Sequence, residues 1–171
     1  MTGQQKLRVF LGAQLLFFAA WGAWLMYSRS AASAEFALDT VPVDPRDLAS
    51  GTYVALNYQI SSPEACRPLL EAGAAEAFVE LKDSGRRQNT AAGTLPVYQA
   101  AGCAAAPGAG VWARAEIYGG FAGRINARYG IERFYVNEND PLKNSAAGSV
   151  AARVKLGRGN RLTILGLEKK I

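Results

Sequence analysis

Histidine is absent from all 171 residues. That removes Ser-His-Asp triads, Cys-His pairs and imidazole metal sites at once. Cysteine is nearly absent too. Cys66 and Cys103 stand alone, and two thiolates without an imidazole make a poor zinc set. No Lys-Ser/Thr follows Gly119, Gly120 and Gly123, so these glycines build no phosphate loop. A clustered basic face is also missing. The net charge of +5 owes much to Lys6, Arg8 and Arg29, and beyond them the two signs are interspersed and nearly balanced. A nucleic-acid footprint needs a basic patch, so no nucleic-acid partner is expected, nor any cofactor or metal. No internal repeat appears.

What the chain does have is one long apolar run. Residues 9–27, VFLGAQLLFFAAWGAWLMY, carry no charge. As a helix at about 1.5 Å per residue they match a bilayer core of about 30 Å. Trp21, Trp24 and Tyr27 fall in the second half, as at a membrane interface. A cleaved signal peptide is the competing reading. Ala32-Ser33-Ala34 offers small residues for it, but the run is too long and Arg29 intervenes. The expectation is a retained transmembrane helix over 9–27, with 1–8 before it, a linker at 28–35 and a β-rich domain over 36–171. Lys6 and Arg8 precede the span and only Arg29 closely follows it, which points the N-terminus inward. The reading is thus a single-pass protein of a bacterial inner membrane with an extracytoplasmic, periplasmic domain. In such a compartment Cys66 and Cys103, both in segments that read as loops, are candidates for a disulfide.

The remainder is patterned as short strands. Residues 36–43 read as the first. TYVALNYQI, 52–60, alternates so that Thr52, Val54, Leu56, Tyr58 and Ile60 share one face. SSPEACRPLLEAG predicts one or two helical turns, with Ser62 as N-cap and Pro63 in the first turn. Residues 75–81 read as a strand, KDSGRRQNTAAG as a polar turn, 95–99 as a short strand and AAGCAAAPGAG as a loop. VWARAEIY, 111–118, alternates strictly. RINARYGIERFYV, 124–136, reads as two strands or one kinked at Gly130. SVAARVKL, GRGN and RLTILGLE form the clearest hairpin. Together these predict an all-β fold, a small barrel or curled antiparallel sheet with one or two short helical turns.

One stretch, VDPRDLASGTYVALNY, stands out. Turn chemistry explains much of it: Asp44 suits an N-cap, Pro45 the first turn, Asp47 the third position and Gly51 a positive-φ exit. The reading is a one-turn cap feeding a central strand, with Leu56 and Tyr58 in the core. The stretch also resembles a family of membrane-anchored bacterial and archaeal proteins named for the motif GDYxxLxY, a DPRDL turn followed by Gly-Asp-Tyr, then Leu and Tyr. Asp44, Pro45, Arg46 and Asp47 fall in the turn, and Gly51, Tyr53, Leu56 and Tyr58 match the motif. Thr52 stands where the family has aspartate. YGIERFYVNE is similar to a second signature, a glycine-led strand ending in an acid: here Gly130, Glu132, Tyr135 and Glu138, with Asn137 where proline is common. The resemblance implies a membrane-attached β-rich domain associated with a multi-spanning membrane protein. It assigns no activity and no catalytic residue.

Enzyme readings fare worse. Type I signal peptidases give a distant echo, but no Ser-Met precedes Pro45, and Ser50 falls on the wrong side of it. A serine–lysine dyad needs a lysine on a neighbouring strand, whereas Lys82, Lys143 and Lys155 read as strand ends or turns. A carboxylate hydrolase would draw on Asp44, Asp47, Glu132 or Glu138, but caps and surface charge are the better account of them, since turn chemistry already explains the two aspartates. The function expected is an accessory or interaction module, reached through the bilayer anchor and exposed tyrosines. An envelope enzyme and a small-ligand barrel are the alternatives.

Overall fold

The computed structural model describes residues 3–29, 35–41, 53–90, 93–135 and 150–169. Two compact units emerge, Met1–Ser33 and Ala34–Ile171. The first is a single helix, α1, Gly3–Arg29. Its segment Arg8–Leu25 is long and apolar enough, by length and composition, to cross a membrane.

The second unit is a curled sheet. Its strands are β1 (Glu35–Val41), β2 (Tyr53–Ala55), β3 (Asn57–Tyr58), β4 (Glu76–Thr90), β5 (Gly93–Ala104), β6 (Val111–Gly119), β7 (Ile125–Arg128), β8 (Arg133–Tyr135), β9 (Val150–Leu156) and β10 (Leu162–Lys169). A short helix, α2 (Arg67–Glu71), precedes β4. The main sheet runs β10-β9-β1-β5-β4-β6-β7, with β3 added to β1; β2 and β8 form a separate two-stranded ribbon. Among the described residues the β1–β5 pairing is parallel, and the other pairings are antiparallel. The concave face holds the core, where Phe36, Leu38, Tyr58, Ile60, Val79 and Val154 are almost fully buried. Period-two patterning put them there, since alternate residues of a strand face one side. The all-β expectation therefore holds, as an open, half-closed barrel.

The sheet bends round far enough for its two ends to approach. Asn160, in the turn between β9 and β10, donates from Nδ2 to the Trp112 carbonyl on β6, 2.8 Å away. The turn itself is the one expected from GRGN, with Gly159 and Asn160 at positive φ.

KDSGRRQNTAAG is not a turn. β4 runs through it to Thr90, and the hairpin closes with Thr90 opposite Gly93. The register shifts between Asp83 and Arg87, a bulge that bends the strand. Its polar residues satisfy the interrupted ladder. Asp83 accepts from the Gly85 amide at 2.8 Å, and Ser84 donates to the Val97 carbonyl at 2.7 Å. Beyond the bulge the arm reaches across the outside of the sheet. Arg86 meets Asp39 of β1 at 2.6 Å, and Gln88 donates to the Lys169 carbonyl of β10 at 3.3 Å. The small residues Ala37 and Ala151, both buried, accompany Asp39 on this covered stretch. An arm this exposed is polar in composition, which is why it reads as a loop.

Three further expectations are corrected. Residues 52–60 are not one central strand. β2 pairs with β8 and β3 with β1, and between them the Leu56 amide donates to the Glu132 carbonyl at 2.8 Å. Alternation survives the change of partner, so Leu56, Tyr58 and Ile60 are all buried. Ser62 is not a helix cap: a 3-10 turn begins at Glu64 with Pro63 before it, and α2 follows with Pro68 in its first turn. Cys103 lies on β5 opposite Val79, not in a loop. It stands at disulfide distance from the buried Cys66, with Cα atoms 5.1 Å apart.

Candidate functional site

The residues singled out in the sequence divide into three groups. Asp44, Pro45, Arg46, Asp47, Gly51 and Glu138 lie outside the described residues. Leu56, Tyr58, Gly130 and Glu132 come together. Tyr53 and Tyr135 are register partners on the β2–β8 ribbon, and Tyr135 is 71% exposed.

The second group is an interlock between the two signature segments. Tyr58 reaches across to donate to the Ile131 carbonyl at 2.6 Å. Tyr129 returns the bond, donating to the Ile60 carbonyl at 2.7 Å. Each phenol thus satisfies a backbone acceptor next to the other. Between them the chain turns at Gly130, whose φ of 80° suits glycine. Glu132 braces that turn, its Oε1 accepting the Tyr129 amide at 2.6 Å. Both tyrosines are buried, at 2% and 5% exposure. Burial chiefly, and the nearby Glu132 carboxylate second, push both phenols well above the ordinary tyrosine value. A phenol that keeps its proton remains a donor, so the two bonds persist across the neutral range.

Sequence reading found Tyr58 but passed over Tyr129. The signal was present: a tyrosine directly before a turn glycine, in a segment otherwise alternating. It also passed over Asp39, which is only 6% exposed and is the acid under the β4 arm. A carboxylate inside the apolar strand EFALDTV was the available clue.

Thr40, near the end of β1, donates to the Val150 carbonyl at the start of β9, 2.5 Å away. Tyr53, at the start of β2, pairs with Tyr135 at the end of β8. The described residues flanking 42–52 and 136–149 therefore stand beside each other at both ends.

A groove of about 430 Å³ opens elsewhere, lined by Arg114, Glu116, Arg128, Tyr129, Arg161 and Leu162 among others. It lies where β6 and β7 approach the start of β10. Glu76 grips Arg114 with both carboxylate oxygens, 2.7 and 2.6 Å away, and Arg128 sits over the Tyr118 ring at 5.7 Å. Among the described residues, no three acidic or cysteine side chains converge as a metal site would require.

Glu132, the described member of the proposed carboxylate set, is thus engaged with the backbone of its own turn. The chemistry of the assembled residues is that of a structural clasp.

The profile of the family described as "GDYXXLXY protein" matches residues 15–166, and the chain belongs to that family. No curated protein and no solved structure matches it.

Proposed function

We propose that this GDYXXLXY protein is a membrane-anchored accessory whose β unit docks onto another envelope protein. The observation that carries the reading is the β2–β8 ribbon. It stands apart from the main sheet, it is built from both signature segments, and it presents Tyr135 at 71% exposure beside exposed Arg133. Aromatic and arginine side chains are the types enriched where protein interfaces concentrate binding energy. The buried clasp of Tyr58 and Tyr129 supports that platform from beneath, tying the end of one signature to the start of the other.

The apolar helix is the anchor in this reading, spanning the inner membrane once with the β unit on the periplasmic side. The charge bias of Lys6 and Arg8 supports that orientation, and a cysteine pair at disulfide distance fits an oxidising compartment. The partner is a multi-spanning membrane protein, as the family resemblance implies.

A photo-crosslinking residue placed at Tyr135 in intact cells tests the docking surface. Capture of one membrane protein at 135, absent when the crosslinker replaces exposed Arg158 and lost with Arg133→Glu, is expected. Equal capture at both positions, or none at 135, overturns the reading. Carbonate washing tests the anchor separately: full-length chain should stay in the membrane pellet, whereas a soluble product beginning near Glu35 would mean a cleaved signal.

A further inference from the structure

The turn joining β6 to β7 reads Gly119-Gly120-Phe121-Ala122-Gly123-Arg124. Phe121 at its apex is 96% exposed, an arrangement that hydrophobicity alone would never select. The tip is nonetheless firmly built. The Gly120 amide donates to the Arg124 carbonyl at 2.7 Å, and Arg67 of α2 donates to the Gly123 carbonyl at 3.2 Å. Ala122 is held at φ 58°, ψ 33°, a left-handed conformation that a residue with a Cβ adopts at a cost. A side chain at Gly120 would collide with Asn126. Strain, clamping and full exposure of an aromatic ring thus coincide at one point.

We propose that this tip inserts Phe121 into the surface of an anionic lipid bilayer. The geometry favours lipid over protein. Aromatic anchors of protein interfaces sit in the packed centre of a patch, whereas Phe121 projects alone from glycine and alanine, which add no side chains to extend the contact. The charges fit as well. Residues 117–131 include Arg124 and Arg128 and no carboxylate; the acid nearest in register is Glu116, opposite Arg128 and at the end of the hairpin away from the tip. Arg67 adds a third cation at the tip, itself paired with Glu64. Tyr118, 43% exposed under Arg128, is an aromatic of the kind found at headgroup level. The proposal rests on the anchor reading to this extent: only residues 30–34 separate α1 from β1, so an anchored β unit works next to the membrane.

The full-length chain carrying Phe121→Cys, labelled with an environment-sensitive dye, is reconstituted into vesicles containing doxyl-quencher lipid. The native cysteines are paired, so the dye marks position 121. The reference dye goes at Arg158→Cys, in the turn that meets the opposite, Trp112 end of β6. A third, at Ala19→Cys, reports the helix. The expected result is a blue-shifted dye at 121, quenched at least twofold more than at 158, more strongly with phosphatidylglycerol than with phosphatidylcholine alone. Arg124→Gln should weaken the phosphatidylglycerol effect about fivefold, the usual worth of one cation at an anionic surface. An unquenched dye at 121 overturns the proposal. If Ala19 is then quenched, the tip fails while the anchor stands; if neither is, both fail. A protein captured by a crosslinker at 121, with the dye unquenched in pure lipid, likewise overturns it in favour of a protein contact.

Discussion

Raising the pH should attack the interlock of Tyr58 and Tyr129 selectively. Both phenols are held above the ordinary tyrosine value by burial and by Glu132. In the unfolded chain they return to about 10. The sign follows from proton binding. Above pH 10 the unfolded state releases two protons that the folded state keeps, so it gains stability relative to the fold. The contribution is complete below pH 10 and is lost progressively as the pH climbs from there toward the folded-state values. At pH 11 each group costs about 1.4 kcal/mol, and the two together about 3 kcal/mol. The Tyr58→Phe/Tyr129→Phe variant cannot show this loss. It carries a different penalty, constant with pH: the Ile131 and Ile60 carbonyls lose their donors in the core. About 2–4 kcal/mol for the pair is expected. Urea unfolding followed by circular dichroism, on both proteins in the same detergent at pH 8 and pH 11, measures the gap. The variant should be the weaker at pH 8, and the gap should close by about 3 kcal/mol at pH 11. A gap that stays constant would refute the argument, because it would mean that the phenols ionise as freely in the fold as outside it.

Leu56→Ala should cost about 2–5 kcal/mol in the same unfolding assay, as a truncation of a side chain only 4% exposed; a loss under 1 kcal/mol would place Leu56 outside the core. Replacing Cys66 and Cys103 together by alanine releases a crosslink spanning 37 positions, worth about 3–4 kcal/mol by loop entropy. Slower migration on reducing than on non-reducing gels should report the same bond. Ala122→Gly relieves the left-handed strain of the tip and should raise stability by about 0.5–1 kcal/mol, and a destabilised variant would show that the methyl group packs after all.

Local pattern was enough for much of this protein. The uncharged run over 9–27 predicts a long apolar helix because no charged side chain in it holds the segment in water. Alternation predicts β6, β9 and β10 nearly to the residue, because a strand with one buried face must repeat every second position. The burial of Leu56, Tyr58 and Ile60 was legible for the same reason, even though their strand breaks in two. Partners were not legible. That Tyr58 bonds Ile131 while Tyr129 bonds Ile60 depends on segments some seventy positions apart, and no period within either segment encodes it. The β4 arm was misread because its outer face is solvent and its inner contacts are polar: Arg86 seeks Asp39 and Gln88 the Lys169 carbonyl, which leaves a strand with the composition of a loop. Phe121 looked like any aromatic in a glycine-rich turn. Only the fold decides that its ring is exposed, because the hydrogen-bonded turn holds it beyond the end of β6.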